Sequence, residues 1–353
     1  MNKKTVLCMF GGKSTEHEVS LSSAYSILSN IDKEKYDVHT LGVTKNGSWL
    51  YYTGDYESIK DGSWHTHDTC PACLLPEPDL KSLLVRSSPE KLIRLDAIFP
   101  IMHGAHSEDG TLQGLFEISG IPYVGPGCLS SAVAMDKVFT KMVLNNFDIP
   151  QARFAYFPDF LIKSALDICI ATIEKDFSYP VFVKPANAGS SIGTGKASDR
   201  ASLADTLMHA AKFDTKIIVE EYLNGKEIEV AVMGNRDITV SACGEIDPGS
   251  EYYDYDTKYK NSTSSAYIPA NIKNDTAEKI RALAGKIYTA LGCRGLSRVD
   301  FFLCEDERIV FNEINTLPGF TSISMYPKLF MHAGLSYGEI IDRLITLACE
   351  DTK

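Results

Sequence analysis

Two short apolar runs near the C-terminal end carry the side chains best suited to chemistry. LSRVDFFL holds Arg298 and Asp300; RIVFNEIN holds Glu313 and Asn315, followed at once by TLPG with Gly319. Both read as strands, joined by the acidic turn 304–308. Side chains alternate along a strand, so Arg298 and Asp300 share one face, and Glu313 and Asn315 share another. If those faces meet, two carboxylates, an amide oxygen and a guanidinium converge. Oxygen ligands of this kind suit Mg²⁺ or Mn²⁺, bound through a couple of carboxylates plus substrate phosphates. An ordinary salt-bridged hairpin is the rival reading for Arg298 and Asp300 alone. The added Glu-x-Asn before a Pro-Gly turn counts against it.

Other stretches must position these groups. KTVLCMF reads as a buried strand, GGKSTEHEVS as a turn, and LSSAYSILSNI as a helix. A strand, glycines and a helix start leave N–H groups facing outward. Glu18, near that helix start, is either a capping acid or an anion poised for a substrate ammonium. Residues 36–43 and 95–102 read as further strands, 44–90 as hairpin and loop, and 121–125 as a short fourth strand. The second of these ends at HGAHSEDGTLQG, a polar, glycine-rich segment where open α/β sheets bind ligands; His103 is its better candidate. The alternation over 1–125 argues for a parallel, doubly wound sheet.

Downstream, AMDKVFTK reads as a helix with Lys137 and Lys141 on one face. YPVFVKPANAGSSIG delivers Lys184 from a buried strand. Its Gly-Ser-Ser-x-Gly loop, with Ser190 and Ser191, can lay N–H groups and hydroxyls over phosphates. It is not a Walker A loop. IIVEEYLNGKEIEV, with Glu220, Glu221, Leu223 and Glu227, reads as strand, acidic turn and strand: an edge for adenine and ribose, or a plain hairpin. Residues 249–259 place four tyrosines in the eight residues 252–259, without strand or helix period. That composition suits a loop that orders over a ligand and excludes water.

The 353 residues exceed one comfortable core, and the net charge of −11 argues against nucleic acid or an anionic membrane surface as main partner. No apolar segment is long enough to span a bilayer. MNKKTVLCMFGG lacks the apolar core and cleavage site of a signal peptide and reads as a strand. Nine scattered cysteines fit reduced thiols, so the expectation is a cytoplasmic protein. Cys70 and Cys73 have redox or half-metal-site spacing, but no second CxxC or His cluster completes a zinc site.

With these pieces placed, the sequence resembles the D-alanine–D-alanine ligase family of the ATP-grasp superfamily, which includes D-Ala–D-Ser and D-Ala–D-lactate ligases. The resemblance rests on GGKSTEHEVSLSS, HGAHSEDGTLQG, AMDK, FVKPANAGSSIG, VEEYLNGKEIEV, YYDYDTKY, LSRVDFF and FNEINTLPGFTSISMYP, in the family's order over essentially the whole chain. It implies an N-terminal doubly wound α/β domain over 1–128. An ATP-grasp fold would follow, with subdomains over 129–222 and 223–353 and α+β character in its C-terminal part. The implied cofactors are ATP and two Mg²⁺ or Mn²⁺, and a homodimer is implied.

The resemblance assigns roles. Lys137 and Lys184 would hold the α- and β-phosphates, with Ser191 in the phosphate loop and Lys258 reaching the γ-phosphate. Glu220, Glu221, Leu223 and Glu227 would surround adenine and ribose, partly through backbone groups. Asp300, Glu313 and Asn315 would bind the metals. Glu18 would hold the ammonium of the first D-Ala, with His103 nearby, and would form a triad with Ser190 and Tyr259. Arg298 and the Gly319 N–H would form the oxyanion hole, and Ser324 would bind the second carboxylate. The implied reaction joins two D-alanines through a D-alanyl phosphate for peptidoglycan precursor synthesis. No protein nucleophile is needed, so no cysteine must be catalytic.

Other ATP-grasp ligases would share the phosphate and metal residues without Glu18, Ser190 and Tyr259 together. A nucleotide-binding protein without catalysis would be expected to have lost Arg298 or a metal ligand. In D-Ser-selecting members an Arg typically follows the Ser324 equivalent, and the second loop aromatic is often Phe. Here those positions are Met325 and Tyr253. Methionine cannot hydrogen-bond a serine hydroxyl strongly, so D-Ala is the expected acceptor and D-Ser the alternative. Met325→Arg is expected to move acceptor preference towards D-Ser. An unchanged D-Ala to D-Ser product ratio would reduce Met325 to a packing residue.

Overall fold

The structure is a computed structural model describing residues 3–189, 192–247 and 265–350. Its first part runs β1 (Lys4–Gly11), α1 (His17–Asn30), β2 (Tyr36–Val43), β3 (Trp49–Tyr52), α2 (Tyr56–Asp61), β4 (Thr69–Leu74), β5 (Ser82–Val85), β6 (Lys91–Arg94) and β7 (Ala97–Met102). These strands form one sheet in the order β6-β5-β4-β3-β2-β1-β7. β1 pairs in parallel with β2 and β7, as the alternation of apolar runs implies. Pro100 is tolerated because β7 lies at the sheet's edge.

The α/β class holds, with two differences of detail. Residues 44–90, expected as hairpin and loop, supply three strands, β3, β4 and β5, which with β6 just beyond them extend the sheet in antiparallel pairs. These strands are short and partly exposed, so their apolar pattern is weak. Residues 121–125 form an isolated parallel bridge, Tyr123 to Ile98. Cys70 and Cys73 both lie on β4, three residues apart and thus on opposite faces; both are free thiols.

The second part contains α3 (Thr111–Ser119), α4 (Cys128–Met135), α5 (Lys137–Asn145), β8 (Phe154–Pro158), α6 (Asp159–Ser164), α7 (Leu166–Asp176), β9 (Val181–Pro185), β10 (Gly195–Ala197), α8 (Arg200–Ala210) and β11 (Lys216–Glu221). The antiparallel order is β10-β9-β11-β8. Val181, Val183, Ile217 and Val219 pack on α7 and α8 through Ile170, Ile173, Leu203 and Leu207. Alternation therefore turns Lys184 and Glu220 to the opposite face.

The third part runs β12 (Gly225–Gly234), β13 (Ile238–Asp247), β14 (Ser265–Tyr267), α9 (Asn274–Ala290), β15 (Gly295–Cys304), β16 (Ile309–Asn315), α10 (Met325–His332) and α11 (Tyr337–Cys349), with antiparallel order β14-β13-β12-β15-β16. Val230, Val232, Val299 and Phe301 pack under Ile280, Ala284, Ile287 and Tyr288 of α9. Arg298 and Asp300 thereby face away from α9.

The C-terminal helices tie the ends of the chain together. Ile340, Ile341, Leu344 and Ile345 of α11 share one core with Val6, Cys8 and Phe10 of β1 and with Leu21, Ala24 and Ile27 of α1. Ser336 and Glu339 form a reciprocal capping box at the start of α11. Among the described residues no helix is long and apolar enough to cross a membrane. Leu344 is fully buried. Leu344→Ala is expected to cost about 2–5 kcal/mol through lost burial and a residual cavity. A urea titration should show a lower midpoint with unchanged slope; an unchanged midpoint would mean that α11 adds little to the shared core.

Candidate functional site

The two C-terminal strands meet as their sequence spacing requires. Arg298 pairs with Asn315 and Asp300 with Glu313. The register then shifts, so that Asn312 is the extra residue of a β-bulge. Its Oδ1 accepts from Lys184 Nζ at 3.2 Å, which links β16 to the central sheet. Arg298 grips Asp300 with Nε to Oδ1 at 2.8 Å and Nη2 to Oδ2 at 2.7 Å. Glu229 Oε2 on β12 lies 3.1 Å from the same Nε. Burial works against this guanidinium's charge, but Asp300 and Glu229 outweigh it and its pKa rises further. Asp300 is pushed up to about 7: burial raises it, Arg298 opposes, and Glu229 and Glu313 add to the rise.

A second charged group holds the lysines. Asp136 caps α5 by accepting from the Val138 and Phe139 N–H groups, and is paired with Lys216 at 2.5 Å. That start puts Lys137 and Lys141 one turn apart. Glu220 receives Lys141 at 2.6 Å on one oxygen and Lys184 at 2.7 Å on the other. Burial alone would raise the Glu220 pKa; the two ammonium groups reverse it and bring it down to about 2. Burial likewise opposes the Lys184 charge, and Glu220, Glu313 and Glu227 more than offset it. Lys137 Nζ donates to the Ala188 carbonyl at 2.9 Å and lies 3.5 Å from Glu313.

Beside these groups lies a cavity of about 500 Å³. Arg298, Glu313, Asn315, Gly319, Ser324 and Met325 line it from the C-terminal part, and Lys137 and Gly189 from the middle. Glu16, His103 and Glu108 line it from the N-terminal part. The segment carrying Gly319 is clasped by that N-terminal part. Glu108 accepts from Leu317 N–H at 2.9 Å and from Gly104 N–H at 2.7 Å. Its carboxyl is raised to about 8 by burial and by Glu16, against those two donors and Arg298. His103 Nδ1 meets the Leu317 carbonyl at 2.8 Å. A carbonyl only accepts, so Nδ1 carries the proton, and Nε2 is left to accept from Ser23 Oγ at 3.2 Å. Burial lowers the His103 pKa, in keeping with that neutral ring.

One expected residue is misplaced. Glu18 is largely exposed and paired with Lys45 at 2.5 Å, outside the cavity. Glu16 stands in the cavity instead. A Cβ added at Gly104 would lie 2.5 Å from its Oε2, and one at Gly189 3.1 Å. The helix begins at His17, and two helical positions differ by about 200° around the axis. Choosing between two nearby acids required knowing where α1 starts.

His103 has both ring nitrogens engaged in the clasp. The Glu220 side chain is occupied by lysines. Glu221 accepts from Arg153 N–H at 3.0 Å and lies 3.8 Å from Arg308. Any adenine contact of residues 220–221 would therefore run through the backbone. Leu223 sits beside a small cluster of Ala152, Cys304 and Val310, and Glu227 is half-buried on β12. Ser324 stands at the N-cap position of α10 without a side-chain capping bond, its Oγ accepting from the Thr321 N–H at 3.0 Å and lying 2.8 Å from Thr321 Oγ1. Ser190, Ser191, Tyr253, Lys258 and Tyr259 lie outside the described residues. Sequence reasoning missed Glu16, Glu108 and Glu229, and noted Lys141 without a role. Period-2 alternation already placed Glu229 on a face with Glu227, which was the available signal.

The oxygen donors Asp300, Glu313 and Asn315 fit a hard divalent cation. Asn315 Nδ2 donates to Asp300 Oδ2 at 3.0 Å, so the two are already adjacent. Among the described residues no three acidic, imidazole or thiol groups form a complete cage.

Comparison with known proteins decides the family. Residues 5–126 match the D-ala D-ala ligase N-terminus family and residues 143–346 the D-ala D-ala ligase C-terminus family. The chain belongs to the D-alanine–D-alanine ligase family. The ligase-family chain is 47% identical to a D-alanine--D-alanine ligase of Acetivibrio thermocellus, covering 99% of this chain and 96% of that protein. It is 48% identical to one from Caldicellulosiruptor bescii, covering 100% and 97%. Among solved structures it is similar to the VanG D-Ala:D-Ser ligase from Enterococcus faecalis, with TM-score 0.90, 40% identity and coverage of 98% and 100%. The D-alanine-D-alanine ligase from Coxiella burnetii matches with TM-score 0.86, 30% identity and coverage of 99% and 94%.

The Glu220 cradle makes a testable statement about pH. A carboxyl lowered from about 4.5 to about 2 stabilises the fold above its unfolded value. That contribution, on the order of 3 kcal/mol, is lost as pH falls from about 5 towards 2. Glu220→Gln leaves two buried ammonium groups without their anion and is expected to cost about 3–5 kcal/mol at neutral pH. The variant should also show a flatter stability profile between pH 5 and 2. An unaltered acid limb would sink the assignment.

Proposed function

We propose that this ligase-family chain uses ATP to join two D-alanines into D-alanyl-D-alanine through a D-alanyl phosphate, for peptidoglycan precursor synthesis. One observation carries the reading. An acid fit for an ammonium (Glu16), a lysine fit for phosphate (Lys137) and the oxyanion donors Arg298 and Gly319 N–H all line one cavity.

Glu16 receives the ammonium of the first D-Ala. The carboxylate oxygen of that D-Ala attacks the γ-phosphorus, and ADP leaves. Lys137 and Lys184 neutralise crowded phosphate charge. A divalent cation held by Asp300, Glu313 and Asn315 (Mg²⁺ or Mn²⁺, two of them in the full proposal) would supply further charge neutralisation. The amine of the second D-Ala then attacks the acyl carbonyl. Arg298 and the Gly319 N–H stabilise the tetrahedral oxyanion, each such donor contributing about 3–4 kcal/mol. Phosphate leaves as the carbonyl reforms, and the amine gives up its proton. Glu229 and Asp300 fix the Arg298 plane from two sides. Ser324, at the start of α10, binds the acceptor carboxylate, helped by the helix N-terminus. Ser190, Tyr259 and Lys258 complete the proposal as groups closing the site and reaching the γ-phosphate, with Tyr253 on the acceptor side.

The likeness to the VanG D-Ala:D-Ser ligase raises D-Ser as a second acceptor, which the full-length relatives named D-alanine--D-alanine ligase do not favour. Met325 at the acceptor side supports D-Ala. The three parts delimited at 128 and 222, a homodimer and a cytoplasmic location belong to the same proposal, supported by the resemblance.

The deciding experiment measures phosphate release with ATP and Mg²⁺, first with D-Ala alone and then with D-Ala competing against D-Ser and D-lactate. Products are identified by mass. D-Alanyl-D-alanine as main product is expected; a dominant D-Ala–D-Ser product would transfer the chain to the second reading. No D-Ala-dependent turnover would remove both. In the same assay Glu16→Gln is expected to raise the KM of the first D-Ala at least tenfold, while Glu18→Gln stays within about twofold of wild type. The reverse pattern would restore Glu18 to the site.

A further inference from the structure

Met325 is both part of the cavity wall and part of the core. It is 5% exposed and shares a buried cluster with Met233, Ile246, Leu329 and Phe330. It is the first residue of α10, directly after Ser324, and that helix lies across β13. Gly244 sits beneath it in the middle of β13, paired with Glu229 of β12. A Cβ built on Gly244 would lie 2.9 Å from Met325 Sδ and 3.1 Å from Met325 Cε and Leu329 Cδ2. The Gly244 backbone is ordinary strand, not a left-handed turn. Its lack of a side chain therefore serves close approach rather than conformation.

We propose that Gly244 is a specificity-determining residue for the acceptor amino acid: it lets Met325 lie flat against β13 and so sets the depth of the acceptor end of the cavity. The inference rests on the ligase reading above. Met325 is an unbranched, adaptable side chain, so crowding from below moves it rather than the strand. Core atoms close off most directions of movement. The cavity, lined by Met325 and Ile246 together with Ser324 and Lys328, is the side where space remains. A methyl at position 244 therefore displaces Met325 towards the acceptor. Gly244 reaches no substrate itself; it acts through Met325.

The test is steady-state kinetics on Gly244→Ala, resolving the KM of ATP, of the first D-Ala and of the acceptor. The acceptor KM is expected to rise about tenfold, the scale of one methylene in a fitted apolar site. The other two constants should stay within about twofold. Adding Met325→Ala to Gly244→Ala should bring the acceptor KM back to within about threefold of wild type. An unchanged acceptor KM, a parallel rise in all three constants, or no rescue by the second change would overturn the proposal. If Gly244→Ala does not fold, Met325→Ala alone decides. It should raise kcat/KM for D-2-aminobutyrate as acceptor relative to D-Ala at least fivefold, and an unchanged ratio would overturn the inference. Wild-type turnover with D-Ala tests the ligase reading separately. Should wild type prefer D-Ser, the same acceptor constant is read with D-Ser, and the role of Gly244 stands or falls on that value.

Discussion

The segment from Leu317 to Phe320 is held from outside its own sheet, and the site depends on that grip. It leaves β16 with no further strand pairing, so its backbone groups need other partners. Glu108 takes the Leu317 N–H, His103 the Leu317 carbonyl, and Ser23 the Phe320 N–H at 3.2 Å. Tyr337 donates to the Phe320 carbonyl. Three of these four groups lie in the first 110 residues, and the fourth opens α11, which packs on the same core. The position of the Gly319 N–H is therefore set by the N-terminal sheet, although Gly319 follows the C-terminal one. Oxyanion donors work by being fixed before charge develops, so this grip would serve the role proposed for Gly319.

Charge is arranged by the same logic of mutual restraint. Glu220 sits between Lys141 and Lys184; Arg298 sits between Glu229 and Asp300. Glu220 is buried and Arg298 half-buried, and in each case the two partners come from different elements. Buried ion pairs add little net stability against a hydrophobic alternative, and breaking one is costly. Their value here is orientation: Lys184 is aimed past Glu220 at β16, and the Arg298 plane is fixed beside the cavity. The bulge at Asn312 serves the same end. It shifts β16 by one residue so that Glu313 and Asn315 line up with Asp300 and Arg298.

The cavity is thus built by three parts of the chain. The N-terminal part brings Glu16 and the clasp, the central part Lys137, and the C-terminal part Arg298, Glu313, Asn315, Gly319 and Met325. Glycines mark the contacts between them. Gly104 and Gly189 leave room for the Glu16 carboxylate, and Gly295 brings β15 against Gly125, where an added Cβ would lie 3.0 Å from the Gly125 nitrogen.

The sequence by itself determined the strand pair at the C-terminal end, the face its polar groups share, the order of the sheets and the family motifs. These follow from local periodicity and motif spacing, which any chain displays without folding. It did not determine which of Glu16 and Glu18 enters the cavity, because that turns on a helix start held by tertiary contacts such as Ser20 Oγ donating to the Ile101 carbonyl of β7. Nor could it separate ligand-facing groups from supporting ones. His103, Glu108, Lys141, Glu220 and Glu229 are all polar residues near motif centres, and only packing shows that they hold other parts of the site. Residues 44–90 were legible only as hairpin and loop because β3, β4 and β5 are short and partly exposed, which leaves little apolar alternation to read. Where several distant segments must share one buried hydrogen bond or one ion pair, only the tertiary structure decides, since partner identity is a property of space and not of spacing.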